Sequence, residues 1–499
     1  MMPTTTIGAV LACAGMAYAR AGAGTPLDPV QPVVLPNGAM AKNPLAHLGG
    51  NGPWTASPDI YGISPDVPKN CYVDQAAYVL RHGSRYPDPG AHSGWLDMVR
   101  RFRESDYIAS GPLSFFHNWD TPLTDPEIQV SQLSQTGYKE LYDLGYTLRT
   151  RYPNLFEEGE DFYVWANNYT RVIQTAQLFV RGYLGPNSTL LGKVVSVTGK
   201  GFPDQLANTL APSDMCPAFK DDSEAQQSAW RSRWLPSFIK RLSKYIRGNL
   251  TLQDSQWNDF PYICGFESQI TGRLSPFCDT FTQKELEQYE YQQDLRYYYG
   301  LGPGAKVSSK MMLPFLNALM QRFVEGPDTQ GIAKGGTSFK VPKLLMNFVN
   351  DGQLNQLAAA TGVFDRQRPL PVTFIPRDRL WRSSRISPMR GTIAFERLNC
   401  AVGNSGGIWW PARDNNKKKN ETFVRIRINE AVYPVPDCQN GPGRSCRLAD
   451  YAAFVARRLE AAGNFAALCN ATDPATPQTV LGASFLTNLD QPHLQIVTP

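Results

Sequence analysis

The sequence predicts an α/β fold, a mostly parallel central sheet flanked by helices, with a mostly helical domain inserted into it. Two apolar runs, Tyr72–Leu80 and Lys343–Val349, each stop abruptly at polar residues and a glycine, the pattern of a buried strand leaving a sheet. Amphipathic helical stretches follow both. The tract between about Ser188 and Lys340 changes character and reads as helical. The α/β body is therefore expected at 71–187 and 341–499, around an insert at 188–340.

In chain order, residues 1–19 read as a secretory signal peptide. An apolar stretch from Ile7 to Met16 runs into Ala17-Tyr18-Ala19, a small-x-small cleavage pattern. Residues 20–70 are rich in Gly, Pro, Ala and Asn, show no sustained period, and are expected to form a loosely structured N-terminal arm laid over the surface. Beyond the first strand, Trp95–Ala109 and Ser134–Tyr152 read as helices, the second with Tyr138, Leu141, Leu144 and Leu148 on one stripe. Phe162–Ala166 reads as a strand, and Thr170 opens a helix. Within the insert, Trp230–Ile246 and Met311–Phe323 are helical, and Thr282-Gln283-Lys284-Glu285 is a capping box for a helix reaching about Tyr299. A short helix, Gln353–Ala360, follows the second polar strand end. Thr392–Leu398 and Val424–Ile428 are strands, the latter alternating so that Arg425 and Arg427 point away from the buried face. Ala452–Ala462 closes the body with a helix.

A chain of 499 residues with 42% hydrophobic and 19% charged residues can bury a large core. A net charge of +5 is too small at this length to indicate a nucleic-acid partner. After the leader no stretch reaches the roughly 20 apolar residues that span a bilayer, so no membrane partner is expected. With Cys13 in the leader, eight cysteines remain: Cys71, Cys216, Cys264, Cys278, Cys400, Cys438, Cys446 and Cys469. An even set fits export to an oxidising compartment, although eight cysteines allow 105 pairings. Cys264 with Cys278 and Cys438 with Cys446 are near enough in sequence for local bridges. No C-x-x-C pair occurs and the five histidines are scattered, so neither a metal nor another cofactor is expected. Sequons at Asn187, Asn249, Asn420 and Asn470 fit glycosylation of an extracellular protein. A fifth, at Asn168, lies three residues before Arg171 and is not expected to carry a glycan. Lys417-Lys418-Lys419 reads as a solvated hairpin loop.

The stretch with the clearest chemistry is Tyr78-Val79-Leu80-Arg81-His82-Gly83-Ser84-Arg85-Tyr86-Pro87. It places an imidazole and two guanidinium groups at the carboxyl end of a strand, where α/β sheets bind ligands. A phosphoryl group suits that set, because arginine forks match its oxygens and a neutral imidazole can attack phosphorus. Asp351, in Asn350-Asp351-Gly352 at the second strand end, is the candidate proton donor. Its alternative is a helix N-cap. Arg171 falls at the amino end of the Thr170 helix, where backbone N–H groups also favour anions.

The RHGxRxP spacing resembles the histidine acid phosphatases, in particular their secreted fungal branch, which includes phytases. The resemblance implies that His82 is the nucleophile, that Arg81 and Arg85 hold the phosphate, and that Arg171 joins them. It also implies Cys71–Cys400 and Cys216–Cys469 bridges beside the two local ones. The chain departs from the family at Asn350, where the usual pattern is His-Asp, and this removes one contact to phosphate or leaving group. The expected function is a secreted acid phosphomonoesterase with a phosphohistidine intermediate, acting on small phosphate monoesters. Asp88-Pro89-Gly90-Ala91-His92-Ser93 after the motif has no lysine, so broad specificity stands level with phytate specificity.

The sequence also admits two other readings. A scaffold that only binds phosphates or inositol phosphates is motivated by Asn350 and opposed by the intact His82, Arg81, Arg85 and Asp351. A serine hydrolase is suggested by Gly403-Asn404-Ser405-Gly406-Gly407, but Trp409-Trp410-Pro411 follows where a helix is needed, and His493 is the only later histidine.

Overall fold

The computed structural model describes residues 43–403, 418–479 and 482–499. The leader at 1–19, the start of the arm, Ser405 and Lys417 lie outside the described residues. The strands are β1 (Cys71–Arg81), β2 (Tyr107–Ala109), β3 (Phe162–Asn167), β4 (Gly192–Val197), β5 (Ile246–Gly248), β6 (Gln330–Ile332) and β7 (Ser338–Lys340). They continue as β8 (Leu344–Val349), β9 (Thr392–Gly403), β10 (Lys418–Ile428), β11 (Ala431–Val432), β12 (Cys446–Arg447) and β13 (Leu494–Val497).

The α/β class holds, with a mixed sheet. Its order is β11-β10-β9-β1-β8-β3-β4-β13, with β12 on β10. The pairs β1–β8, β8–β3 and β3–β4 are parallel, and antiparallel strands extend the sheet on both sides. Along β1, Ala76, Tyr78 and Leu80 enter one core and Ala77 and Val79 the other. Burial on both faces is why the run is continuously apolar instead of alternating.

The helices Gln135–Arg151 and Thr170–Leu184 cover the first face through Leu141, Leu144, Leu148, Val172, Ala176 and Phe179. The first of them starts at Ser134, whose hydroxyl caps Gly137 N at 3.3 Å. The larger core on the opposite face takes apolar residues from the helices Glu224–Leu242, Phe260–Thr271, Gln283–Gly300 and Leu313–Glu325. The Thr282/Glu285 capping box forms with both of its hydrogen bonds.

The structure departs from several sequence expectations. The first helix spans Pro89–Glu104 instead of Trp95–Ala109, because Pro89 sits in the first turn, where its missing N–H leaves no bond unmade. Tyr107–Ala109 is strand β2, paired with β5, and β5 is also why the Trp230 helix stops at Leu242. Strand β4, placed in the helical insert by sequence, belongs to the main sheet, so the helical segment opens beyond Val197.

The arm, too, is less loose than its composition suggests. Gly49, Gly50, Asn51 and Gly52 are buried, in and after two short 3₁₀ turns. Arg425 and Arg427 are also buried, not turned to solvent. Arg425 Nε donates to Glu396 Oε2 at 2.6 Å and Arg427 Nη1 to Glu396 Oε1 at 3.2 Å, beside a cavity of about 440 Å³ under residues 57–67. Alternation in β10 reports two faces, and an internal carboxylate lets the charged face be buried as well.

Four disulfides tie the body together: Cys71–Cys400, Cys216–Cys469, Cys264–Cys278 and Cys438–Cys446. Among the described residues no helix is long and apolar enough to cross a membrane.

Candidate active site

Strands β1 and β8 run in parallel and in register up to Arg81 opposite Val349, and His82 N donates to Val349 O at 3.0 Å. The two polar strand ends are therefore neighbours. The turn after β1 is clamped by helices. A Cβ on Gly83 would meet Leu141 at 2.5 Å, and one on Gly137 would meet the Ser84 carbonyl at 2.1 Å, so glycine is what lets the turn lie on the Gln135 helix. The Glu140 carboxylate accepts from Ser84 N and Ser84 Oγ, both at 2.8 Å. Gly83 N donates to Thr175 Oγ1 at 3.2 Å, tying the turn to the Arg171 helix as well.

His82 is buried, and its Nδ1 lies 2.9 Å from the Gly83 carbonyl oxygen. A carbonyl can only accept, so Nδ1 carries the hydrogen and Nε2 keeps its lone pair. Burial, and then the charges of Arg81, Arg171 and Arg85, hold the imidazole well below its usual pKa. Burial and the three cations thus favour the neutral form of His82.

Arg81 is anchored from one end: Nη1 donates to Gly50 O at 2.5 Å and to Ser387 O at 2.8 Å, while Nη2 stands 3.6 Å from Asp351 Oδ2. Arg85 donates to Tyr86 O at 2.9 Å and Asp88 Oδ2 at 2.8 Å, and lies over the Phe266 ring at 5.2 Å. Arg171 faces the Tyr169 ring at 5.7 Å; burial first, then the Arg85 charge, lower its pKa. Nε of all three arginines is buried without a hydrogen-bond partner.

Asp351 is the first residue of the helix Asp351–Ala360, and Asn350 occupies the N-cap position without a side-chain capping bond. The Asp351 carboxylate turns to Tyr297, whose hydroxyl donates to Oδ2 at 2.6 Å. Burial alone would raise its pKa, but Arg81, Arg296 and the Tyr297 hydrogen bond together hold it far below the carboxylate range. Asp351 is therefore ionised, which differs from the protonated donor that acid catalysis requires. Asn350 Oδ1 is buried with no partner.

Sequence reasoning missed Arg296, Tyr297, Glu140 and Gly50. Arg296 and Tyr297 sit in a helix whose polar and apolar residues are mixed around its circumference, so no stripe marks the face toward the site. Of the sequons, Asn187, Asn249, Asn420 and Asn470 are exposed. Asn168 is exposed as well, and its amide donates to Thr198 Oγ1 at 2.8 Å.

A buried imidazole and several guanidinium groups gathered at parallel strand tips make the equipment of an enzyme that acts on phosphate. The model of the Histidine phosphatase superfamily (branch 2) matches residues 72–429, and the chain belongs to this family. An acid phosphatase of Komagataella pastoris is 30% identical over 84% of this chain and 84% of its own length. A phytase of Candida albicans is 27% identical over 86% and 88%. In fold, the chain is similar to the phytase from D. castellii, with a TM-score of 0.76 and 24% identity over 90% of this chain and 94% of that one. The protein is a phosphatase that hydrolyses phosphate monoesters.

Proposed function

We propose that hydrolysis proceeds through a covalent phosphohistidine on His82, with Asp351 as proton donor and then as general base. The observation that carries this reading is the buried His82 whose Nδ1 is committed to Gly83 O, which leaves Nε2 as the nucleophilic atom, while burial and the surrounding arginines favour the neutral ring. Arg81, Arg85 and Arg171 hold the transferred phosphate and spread its charge, each with a buried Nε to offer. As the Nε2–P bond forms and the ester P–O bond breaks, Asp351 hands its proton to the leaving oxygen. Water then gives a proton back to Asp351 and attacks phosphorus, releasing inorganic phosphate and free His82.

The proton on Asp351 comes with the substrate. A phosphate monoester loses its second proton near pH 6, so in acid it arrives as a monoanion. Once the guanidinium groups bind its oxygens, they favour the dianion, and the added negative charge beside Asp351 raises that carboxyl's pKa. The proton moves to Asp351, and activity is favoured below about pH 6.

Asn350 contacts the leaving group: its unsatisfied Oδ1 accepts from a substrate hydroxyl. The substrates are small phosphate monoesters taken broadly, phytate among them. Four disulfides support an extracellular location.

Alkaline denaturing quench with labelled substrate tests the proposal. Wild type should yield base-stable, acid-labile phosphoprotein, and His82→Ala should yield none and no turnover. Label on a different residue, or turnover by His82→Ala, would sink it.

A further inference from the structure

The hydrogen bond and the ion contact made by Asp351 fall on the same oxygen. Tyr297 OH donates to Oδ2 at 2.6 Å, and Arg81 Nη2 stands 3.6 Å from Oδ2. The phenol is buried, and burial, followed by the charge of Asp351, raises its pKa, so it remains a donor at every pH at which the enzyme works. It is also held from behind: a Cβ on Gly50 would lie 2.1 Å from the Tyr297 hydroxyl oxygen. Gly50 O is the atom that accepts from Arg81 Nη1 at 2.5 Å. One glycine thus backs the group on Asp351 and anchors the arginine beside it. Arg296 stacks on the same ring at 5.0 Å.

We propose that Tyr297 is a positioning residue that reserves Oδ2 of Asp351 and so leaves Oδ1 to carry the proton to the leaving group, with Gly50 as its backstop. The proposal rests on the reading of Asp351 as proton donor. A carboxyl group with two equivalent oxygens carries its proton on either, and only one of them can face the departing oxygen. Fixing the hydroxyl donor on Oδ2 makes the oxygens unequal before substrate arrives. The Tyr297 proton stays on Tyr297 throughout. The groups facing Asp351 are Arg81 and His82 from the β1 end, Arg296 and Tyr297 from the Gln283–Gly300 helix, and Arg171 from the Thr170–Leu184 helix.

Tyr297→Phe in the full chain tests this, because it deletes one hydrogen bond and keeps the ring. A hydrogen bond to a charged carboxylate favours ionisation, so its loss raises the Asp351 pKa and the donor form survives to higher pH. On glycerol phosphate, a poor leaving group, the limb along which kcat falls with rising pH should move up by about one pH unit. KM for glycerol phosphate and the inhibition constant of inorganic phosphate should stay within about twofold, since the arginines are untouched. A limb that stays in place, with or without a lower rate, overturns the proposal. If Tyr297→Phe no longer binds inorganic phosphate, Gly50→Ala decides: it must shift the limb in the same direction, and an unmoved limb rejects the idea. Asp351→Asn separates the two levels. Equal losses for that variant on glycerol phosphate and p-nitrophenyl phosphate would remove the donor reading and Tyr297 with it. The expected unequal losses beside an unmoved Tyr297→Phe limb would remove Tyr297 alone.

Discussion

Arg81 and Asp351 meet at 3.6 Å because their strands are parallel neighbours that end at the same level. Arg81 spends Nη1 on the Gly50 and Ser387 carbonyls and presents Nη2 to the site, a division only a forked side chain can make. Arg81→Lys keeps the charge and loses the fork. It should reduce kcat/KM by about 100-fold, the equivalent of one or two charge-assisted hydrogen bonds. A reduction below threefold in steady-state assays would mean that the charge of Arg81 matters and its geometry does not.

Glu140 is the residue on which the His82–Arg85 turn hangs, through Ser84 N and Oγ. Burial raises its pKa, against the pull of the Ser84 backbone bond and the Arg390 charge. An acid with a raised folded pKa contributes most below its unfolded pKa, and that contribution is lost as pH rises through the folded value. Glu140→Gln does not titrate, so its melting temperature should fall further below wild type at pH 4 than at pH 7. Glu140→Ala, which also orphans the Ser84 donors, should cost about 1–3 kcal/mol at pH 7 and more at pH 4. Thermal melts of the three proteins in both buffers check this, and a Gln penalty larger at pH 7 would reverse the assignment.

What the sequence made legible follows from where the signal is local. RHGxRxP is a contiguous turn, Thr282–Glu285 a contiguous cap, and Ser134–Tyr152 a single amphipathic stripe, and each lies in the structure where its own residues place it. Residues 43–54 were illegible because their order comes from distant partners: Gly49 N donates to Ser384 Oγ, Gly50 O accepts from Arg81, and Asn51 Nδ2 donates to Tyr289 OH. Composition there reports flexible residues, and those same glycines are what allow close approach. Arg425 and Arg427 misled for a related reason. Alternation marks two faces of β10 but does not report that Glu396 waits on the neighbouring strand.

That internal cluster carries its own acid test. Burial works against ionised Glu396, but Arg425, Arg427 and hydrogen bonds from Arg425 and Tyr152 bring its pKa down to about 2. A depressed carboxylate contributes stability that is full above its unfolded pKa, near 4.5, and is lost as pH falls toward the folded value. Wild type should therefore keep on the order of 3 kcal/mol from this group at pH 5 and above, and shed it between pH 4 and 2. Arg425→Met, which strands a buried charge, should cost about 3–5 kcal/mol near neutrality. Urea titrations at pH 6 and pH 3 measure both effects, and a variant no less stable than wild type at pH 6 would show the cluster to be replaceable by apolar packing.

Cys71 and Cys400 face each other in the β1–β9 register and are joined by a disulfide at the opposite end of β1 from His82. The bridge closes a loop of more than 300 residues, so its removal frees a great deal of the unfolded chain while leaving the site's own clamps in place. Cys71→Ser with Cys400→Ser should lower stability by about 2–5 kcal/mol. At 25 °C, however, kcat and KM should stay near wild type, because the His82 turn is held by Glu140, Thr175 and Val349. The site and the bridge then separate in a temperature series, with activity per folded molecule constant up to a lower melting point. Loss of activity well below that melting point would mean that strand β1 transmits the bridge's constraint along its whole length to the imidazole.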